Sequence, residues 1–323
     1  MVRRVTLEDV ARVAGVSPAT ASRALSGRGF ASPSTRARVA SAAGELGYVP
    51  NAAARALATD GGPRVAVAVG GRTAHVLADP YVGRVVAAAA AVAGAHEAGV
   101  SLHWLPLHDP GELARLGENR GVGGIVVVNP TAELLAAVPR AVRGRVAAIG
   151  VGARDVPSFD VDNGGGTAGV VAHLLSSGRR RVAMVTGATW LPCVRRAVTA
   201  YERVVGEAGC PVRLVPGDFT ASRGEAAALE VLARWPDTDA VYALGDLSAL
   251  GALAALRRTG VDVPGDVAVA GFDDLAAASP NRLTTSTNPV EEIAAGAAAA
   301  VLDRYRGAPE RLYASTLVLR DSA

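Results

Sequence analysis

The sequence predicts a small all-α helix-turn-helix head followed by an α/β body of two doubly wound parallel-sheet lobes. Start and stop signals for three short helices fill the first 50 residues. From residue 64 onward, Val-rich runs of strand length alternate with helical segments, which is typical of parallel sheets with crossover helices. The chain of 323 residues is too long for one hydrophobic core, and the alternation occurs in two successive sets. We therefore expect two similar lobes behind the head.

The first predicted helix begins at Thr6, which has the spacing of a capping box with Asp9. An apolar stripe follows at helical spacing, formed by Leu7, Val10, Ala11 and Ala14. Gly15 ends the helix, because glycine adopts the left-handed backbone conformation most easily. These signals predict an amphipathic helix that packs its apolar face against the rest of the head.

Two more helices are predicted directly after the first. Ser17 and Pro18 are favourable cap and first-turn residues for a second helix that ends near Ser26-Gly27. Ser32-Pro33 begins a third helix that ends at Gly47. Its inward-facing residues are expected to be Val39, Ala43 and Leu46. The first two helices and the short break between them form a helix-turn-helix, whose second helix enters the DNA major groove.

The distribution of charge also indicates DNA as the partner of the head. The whole chain has a formal net charge of +3, but the first 60 residues carry +4 and the remainder −1. A basic head on a near-neutral body indicates a polyanion partner for the head alone. On the second helix, only Arg23 can make a bidentate contact to guanine. The expected DNA contacts of the head are Thr6, Leu7, Ser17, Pro18, Ala19, Thr20, Ser22, Arg23, Ser26, Phe30 and Thr35. A plain three-helix bundle without a DNA role is the alternative.

A short helical segment is predicted between the head and the body. Asn51 can cap a last helix over Ala52–Ala58, which is too short to be stable alone in water. Leu57 is its only large apolar residue. Such a weak segment beside a DNA-reading unit is expected to fold on contact.

The head resembles the LacI/GalR family of bacterial repressors. The resemblance rests on TLEDVARVAGVSPATASRAL from Thr6 onward, then LGYVPN and ARALA. In that family, two hinge helices of a dimer pair in the minor groove and a leucine from each wedges into a base step. The resemblance implies that Leu57 is the wedge, with Asn51, Ala54 and Arg55 beside it. Ala21 departs from the family, which usually places a larger aliphatic residue there.

The body is expected to hold seven buried strands with helical runs between them. The strands are predicted at 64–70, 100–107, 123–129, 145–151, 180–187, 240–246 and 266–274. The helices are predicted at 81–98, 165–177, 195–208, 222–234 and 247–259. In such sheets a ligand binds in the cleft at the carboxyl ends of the strands. The segments GDFTASRGEAA and VPGDVAVAGFDD resemble the periplasmic sugar-binding-protein fold that the same repressors carry.

The resemblance implies a domain plan and a set of effector contacts. Residues 1–50 form the DNA-binding domain, 51–63 the hinge helix and linker, and 64–323 the effector-binding and dimerisation domain. The first lobe is expected over about 64–160 plus 290–320, and the second over about 161–289. The expected effector-binding residues are Asp79, Tyr81, Asp162, Arg195, Arg196, Phe219, Asp246 and Asp273.

Two of these residues have alternatives. The family carboxylate matched by Asp273 accepts ligand hydroxyls, but Asp273 could instead be a turn acid that caps the next segment. Phe219 matches an aromatic that stacks on ligand rings, but it could equally belong to the core.

Three departures from the family fall on the expected cleft. Gly245 replaces the family's Asn, Ala197 replaces a ligand-binding Arg, and Thr287 stands where a basic residue is frequent. Arg196 lies one residue from the Arg position, and one residue rotates a helical side chain by roughly 100°. The cleft therefore lacks several expected polar contacts, so a non-sugar effector, or none, is an alternative to a sugar.

The expected function is a homodimeric, sequence-specific regulator of transcription, a repressor of double-stranded operator DNA controlled by a small-molecule effector. No catalytic residues, metal ligands or cofactors are expected, because no phosphate loop, nucleophile elbow or metal-spaced cluster occurs. Cys193 and Cys210 are the only cysteines, so a disulfide framework is excluded, and their spacing does not resemble a metal site. The first residues lack the apolar stretch of a signal peptide, so a cytoplasmic protein without membrane contact is expected. A solute-binding protein with the same body fold is the alternative.

Overall fold

The structure is a computed structural model that describes residues 5–26, 31–48, 64–303 and 310–323. The chain forms two compact units, Met1–Gly62 and Pro63–Ala323. The predicted hinge helix over 52–58, with Asn51, Ala54, Arg55 and Leu57, lies outside the described residues, as does Phe30.

The first unit contains the three predicted helices, α1 (Leu7–Ala14), α2 (Pro18–Ser26) and α3 (Pro33–Glu45). The capping box is present, since the Asp9 amide donates to the Thr6 hydroxyl at 3.3 Å and the Thr6 amide donates to the Asp9 carboxylate at 3.0 Å. Gly15 follows α1 with a φ of 65°. Each later helix also begins at a serine cap, where Ser17 and Ser32 accept amide hydrogen bonds. The sequence therefore places all three helix starts correctly.

Small side chains fill the core of the head. The buried residues are Val10, Ala11, Ala14, Ala21, Val39 and Ala42. Ala43 and Leu46, which were expected to face inward, are only half-buried. Ala42 takes that interior place because it lies three residues after Val39, on the same face of α3. Ala21 has no exposed surface, so α2 packs closely over α1 at this point.

The second unit alternates strands and helices as predicted. Its described helices are α4 (Pro80–Ala95), α5 (Gly111–Glu118), α6 (Ala132–Ala136), α7 (Arg140–Arg143), α8 (Asn163–Ser176), α9 (Pro192–Glu207), α10 (Ala221–Arg234), α11 (Asp246–Arg258) and α12 (Val290–Leu302). Its described strands are β1 (Arg64–Gly71), β2 (Gly99–Pro106), β3 (Val122–Val128), β4 (Val146–Ile149), β5 (Ser158–Val161), β6 (Val182–Val185), β7 (Arg213–Val215), β8 (Ala240–Ala243), β9 (Ala268–Ala270), β10 (Thr285–Ser286), β11 (Glu310–Tyr313) and β12 (Leu317–Val318).

Two parallel sheets define two lobes. The first has six strands in the order β11-β5-β4-β3-β1-β2, and the second has four in the order β7-β6-β8-β9. The central strands are fully buried; in β1, for example, Val65 to Val69 have no exposed surface. Helices cover both faces of such sheets, which explains the continuous apolar runs that predicted these strands.

Five described strands were not predicted, and each has a local reason. Strands β5, β7, β10 and β12 contain only two to four residues, and β11 is an exposed edge strand. The predicted strand over 266–274 is too long, since β9 ends at Ala270. Asp273 and Asp274 have φ values of 106° and 46°, which an extended strand does not allow.

The chain passes between the lobes three times. It leaves the first lobe after β5, returns to it after β10 to form α12, and leaves it again after β11. Strand β12 pairs with β10, and the Val269 amide donates to the Ser322 carbonyl oxygen at 2.7 Å. Residues 317–320, which were expected in the first lobe, therefore pack on the second lobe.

Helices α10 and α11 of the second lobe meet at two glycines. A β-carbon at Gly251 would overlap the carbonyl oxygen of Ala221, and one at Gly224 would overlap that of Ser248. Glycine is required here because backbone atoms of the facing helix occupy the side-chain position.

We predict that Gly251→Ala lowers the free energy of unfolding by about 1–3 kcal/mol, because the added methyl must push the two helices apart. Gly169→Ala is the matched control, since nothing lies within 4 Å of that position on α8. It should raise stability by up to about 1 kcal/mol through the better helix propensity of alanine. Urea unfolding of the two variants measures both effects, and equal stabilities would contradict the assignment of this contact.

Candidate functional site

The head presents one exposed face on α2. Ser17, Pro18, Ala19, Ser22 and Arg23 are exposed, whereas Thr20 is half-buried and its hydroxyl lies 2.9 Å from that of Ser17. Thr20 was expected to be fully available, but it belongs to the helix cap. Arg23 therefore extends from a face of small side chains that permits close approach to DNA. The structure describes no side chain for Ser26.

The other expected DNA contacts of the described head lie at helix starts. Thr6 begins α1 and is exposed, and Leu7 beside it is half-buried. Thr35 lies in the first turn of α3, and its hydroxyl is 2.9 Å from that of Ser32. Amide groups at helix N-termini bind phosphates, which fix a protein on the duplex without reading sequence.

A cavity of about 610 Å³ lies between the two lobes of the second unit. Its lining from the first lobe includes Asp79, Tyr81 and Asp160, and its lining from the second lobe includes Trp190, Phe219 and Asp273. This volume is in the range of small-molecule sites, which are mostly apolar with a few placed polar groups. Five of the eight expected effector residues line it: Asp79, Tyr81, Phe219, Asp246 and Asp273.

The Phe219 ring lies in the cavity and packs against two glycines. Its own φ is 70°, and its ring occupies the space that a side chain at Gly187 would need. A β-carbon at Gly245 would lie 3.1 Å from the same ring, and Gly245 itself has a φ of 142°. Phe219 is half-buried, so one part of the ring packs on backbone while another part faces the cavity.

Asp273 follows β9 in a left-handed conformation, and its carboxylate enters the cavity. Burial raises the pKa of Asp273 to about 7, although the Asn288 amide donates a hydrogen bond to it at 3.0 Å. Sequence reasoning missed Asn288, which also lines the cavity. Its position directly after Thr287, at a passage between the lobes, could have indicated it.

Asp246 is a structural carboxylate rather than a free ligand contact. It has no exposed surface, and its two oxygens accept hydrogen bonds from the Thr285 hydroxyl at 2.6 Å and the Leu275 amide at 2.7 Å. Burial raises its pKa to about 6. Asp246 therefore links the segments that contain Leu275 and Thr285. This structural role differs from the direct effector contact that was expected.

Asp79 and Tyr81 begin α4 at the cavity. The Tyr81 amide donates to the Asp79 carboxylate at 2.9 Å, so Asp79 caps the helix. Burial raises the pKa of Asp79. It also raises the pKa of Tyr81, with further contributions from the charges of Asp160 and Asp273. The Tyr81 hydroxyl is therefore neutral and close to carboxylates of both lobes.

Three expected effector residues lie outside the cavity. Asp162 caps α8 by accepting the Gly165 amide at 2.8 Å. Arg195 and Arg196 line a separate hollow of about 430 Å³ between α8 and α9. Ala197, where the family has its Arg, is fully buried in the core.

Arg196 instead forms an ion pair with Asp160, which sequence reasoning missed. Asp160 belongs to β5 of the first lobe and Arg196 to α9 of the second. Asp160 lies between the buried residues Phe159 and Val161 on β5. Successive side chains of a strand point to opposite faces, so this pattern could have indicated that Asp160 faces away from the core. Burial raises the pKa of Asp160, and the Arg196 charge opposes this. The pair joins the two lobes without a ligand.

Comparisons with known proteins agree with this architecture. A model of bacterial regulatory proteins of the lacI family matches residues 6–51, and one of a periplasmic binding protein-like domain matches residues 171–323. The transcriptional regulator CelR of Thermobifida fusca is 36% identical, over 99% of this chain and 98% of its own length. The chain belongs to the LacI family. This confirms the predicted family and fold class.

Other LacI-family proteins match over similar lengths. The regulator GalR of Escherichia coli is 32% identical, over 98% of this chain and 95% of its own length. A solved CelR–cellobiose complex is 30% identical with a TM-score of 0.70, covering 99% of this chain and 100% of that one. A lac repressor dimer bound to operator and an anti-inducer is 25% identical with a TM-score of 0.83, covering 99% of both chains. These relatives are regulators, so the prediction that the chain is not an enzyme is confirmed.

None of the described helices is long and apolar enough to cross a membrane. The described His, Cys, Asp and Glu side chains form no group of three or more that could hold a metal ion.

We predict that restoring the family residue in Gly245→Asn destabilises the protein by about 1–3 kcal/mol. Two costs add: a side chain is strained at this φ, and its β-carbon crowds the Phe219 ring. The double variant Gly245→Asn/Phe219→Ala removes the crowding and retains the strain. Urea unfolding of the single and double variants measures the coupling energy. Purely additive losses would show that Phe219 does not depend on Gly245.

Proposed function

We propose that this LacI-family chain is a homodimeric repressor that binds operator DNA through its head and is controlled by a small molecule in its cleft. One observation supports this proposal most directly. The same chain contains a complete helix-turn-helix, with Arg23 on its exposed face, and a cavity between two lobes. A regulator that acts on DNA works in the cytoplasm, and we propose that location here.

The proposed DNA contacts are those of the head and the hinge segment. Arg23 reads a guanine in the major groove, and the small residues around it allow the helix to enter. The helix starts at Thr6, Ser17 and Thr35 position the head on phosphates. The segment over 51–63 supplies the minor-groove contacts, with Asn51, Ala54, Arg55 and Leu57.

The proposed effector site combines both lobes. Asp79, Tyr81 and Asp160 contribute from the first lobe, and Phe219, Asp273 and Asn288 from the second. The relative CelR has been solved in complex with cellobiose, which supports a small polar effector at the equivalent cleft. A ligand that contacts both lobes favours one lobe arrangement over another, and this differential binding is what allosteric control requires.

We predict that Arg23→Ala relaxes the preference at one base position of the operator and weakens binding by ~1–3 kcal/mol. The operator is first selected from random DNA with the full chain. Fluorescence anisotropy against a panel of single-base operator variants then measures the preference. Arg38→Ala on α3 is the control, since it removes an exposed charge outside the reading helix. An unchanged base preference would mean that Arg23 contacts only phosphate.

We predict that Leu57→Ala weakens binding to the selected operator while it spares binding to random-sequence DNA. The physical reason is that a wedge contributes only where the DNA is kinked, as it is at a specific site. Anisotropy titrations with both DNAs, at one fixed salt concentration, give the ratio of the two affinities. Equal losses for both DNAs would contradict the wedge.

A further inference from the structure

The charges around the cavity are uneven. Its described lining includes the five carboxylates of Asp79, Asp160, Asp218, Asp246 and Asp273. The basic side chains in that lining are Arg72 and His75, and both are exposed at the rim. Of the described residues that line the inner cavity, the charged ones are therefore carboxylates, and none is basic.

Three of the carboxylates differ from a free contact inside the cavity. Asp246 uses both oxygens on Thr285 and Leu275, as described above. Asp160 pairs with Arg196 through one oxygen and accepts the Val161 amide with the other. Asp218 is exposed, and one of its oxygens accepts both the Thr220 hydroxyl at 2.7 Å and the Thr220 amide at 2.9 Å. Asp160 and Asp246 are therefore occupied by the fold, and the charge of Asp218 is exposed to solvent.

Asp79 and Asp273 each keep one oxygen for a ligand. Asp79 accepts one hydrogen bond, from the Tyr81 amide, and Asp273 accepts one, from the Asn288 side chain. The second oxygen of each accepts none from the described part of the chain. The other oxygen of Asp273 lies 3.9 Å from the β-carbon position of Gly245, on the cavity side.

Asn288 adds a third acceptor. Its side chain is 8% exposed, it lines the cavity, and its Oδ1 atom is buried without a partner among the described residues. A buried acceptor without a donor is costly, so a ligand that donates to it gains binding free energy. All three available atoms are acceptors.

Among the described residues, Arg84 on α4 is a cation whose charge lowers the pKa of Asp273, but it does not line the cavity. It makes two hydrogen bonds of 2.7 Å to Glu291 and one of 3.2 Å to the Asn288 carbonyl oxygen, and its Nη1 atom is buried without a partner among the described residues. Its charge is therefore paired mainly with Glu291. Asp79 lies in the first lobe and Asp273 in the second, and the charge of Asp79 raises the pKa of Asp273. The two carboxylates therefore repel each other across the cleft.

We propose that the effector carries a protonated amine, which binds between Asp79 and Asp273 and donates to Asn288. The inference rests on the proposed function of the cleft and specifies its ligand. An ammonium group has three donors and a full positive charge, which matches three acceptors and an uncompensated negative charge. The aromatic side chains of Tyr81, Trp190 and Phe219 line the same cavity and would contact the rest of the ligand. The faces of aromatic rings also attract cations.

The same arrangement disfavours other ligands. A phosphate or carboxylate meets repulsion, because the charged residues of the described inner lining are carboxylates. A neutral sugar can donate to the acceptors, but it leaves the repulsion between the lobes in place. An amine removes that repulsion and draws the lobes together, which couples binding to lobe closure.

The proposal predicts a distinct pH dependence. The pKa of Asp273 is about 7, so the carboxylate is neutral at lower pH and charged at higher pH. Affinity for an amine should therefore be full above pH 8 and fall several-fold as the pH drops through 7. The titratable and charged groups that act on Asp273 are Asp79, Tyr81, Arg84, Cys193, Tyr242 and Asp246. Burial keeps the pKa values of Tyr81, Cys193 and Tyr242 above their ordinary values, so these three groups stay neutral in this range.

The test uses the full chain and sugars that differ in charge at one carbon. One set is 6-amino-6-deoxyglucose, glucose and glucuronate, and the other is 6′-amino-6′-deoxycellobiose, cellobiose and its 6′-uronate. Each amine is a primary alkylammonium that, like that of lysine, stays protonated from pH 6 to 8, so a change of affinity in this range reports the protein. Thermal shift and titration calorimetry at pH 6, 7 and 8 measure binding. We expect the amine to bind tightest in a set and the acid weakest, and only the amine to gain affinity several-fold from pH 6 to 8.

Two variants locate the effect. Asp79→Asn and Asp273→Asn should each weaken amine binding tenfold or more, and Asp273→Asn should abolish its pH dependence. Asparagine is a good helix cap and tolerates a positive φ, so both variants keep the local fold. Asp155→Asn is the control, since Asp155 is exposed and lies outside the cavity. Its φ of 67° is in the left-handed region, which asparagine also tolerates.

The outcomes separate the two proposals. Neutral or acidic members that bind at least as tightly as the amines, or amines that produce no shift in either set, overturn the amine proposal. Operator selection with the unliganded chain tests the DNA-binding function independently. Loss of DNA binding with intact amine binding would overturn the proposed function alone.

Discussion

The three passages of the chain between the lobes are the constraint on which the ligand site depends. They follow β5, β10 and β11, and a polar residue lies within two positions of the end of each strand, namely Asp162, Asn288 and Ser315. Because the central strands of each sheet are buried and hydrogen-bonded on both sides, these short connections are where one lobe can move against the other. A ligand that contacts both sides of the cavity therefore acts directly on the angle between the lobes.

Two parts of the cleft each depend on several residues together. Phe219 occupies the space above Gly187 and Gly245, so glycine at 245 and the position of the aromatic ring belong to one arrangement. Ala197 is buried in the core, and the neighbouring Arg196 binds Asp160 across the lobes. Neither arrangement places a basic side chain among the described residues that line the cavity.

The sequence predicted those features that depend on local signals. Helix caps such as Thr6 with Asp9, and fully buried strands such as β1, follow from residues close together in the chain. Strand β11 was missed because an edge strand has few buried residues, and Asp160 because its partner lies 36 residues away. The role of Asp246 was misjudged for a similar reason, since its hydrogen-bond partner Thr285 is 39 residues away.

The ion pair between Asp160 and Arg196 has a consequence for the range of control. A tie that exists without a ligand stabilises the arrangement of the lobes in which it forms. A ligand shifts an equilibrium only by its preference for one arrangement over the other, so a ligand that prefers this same arrangement has less left to shift. For such a ligand the pair lowers the amplitude of the response and raises the affinity, because part of the cleft is assembled in advance.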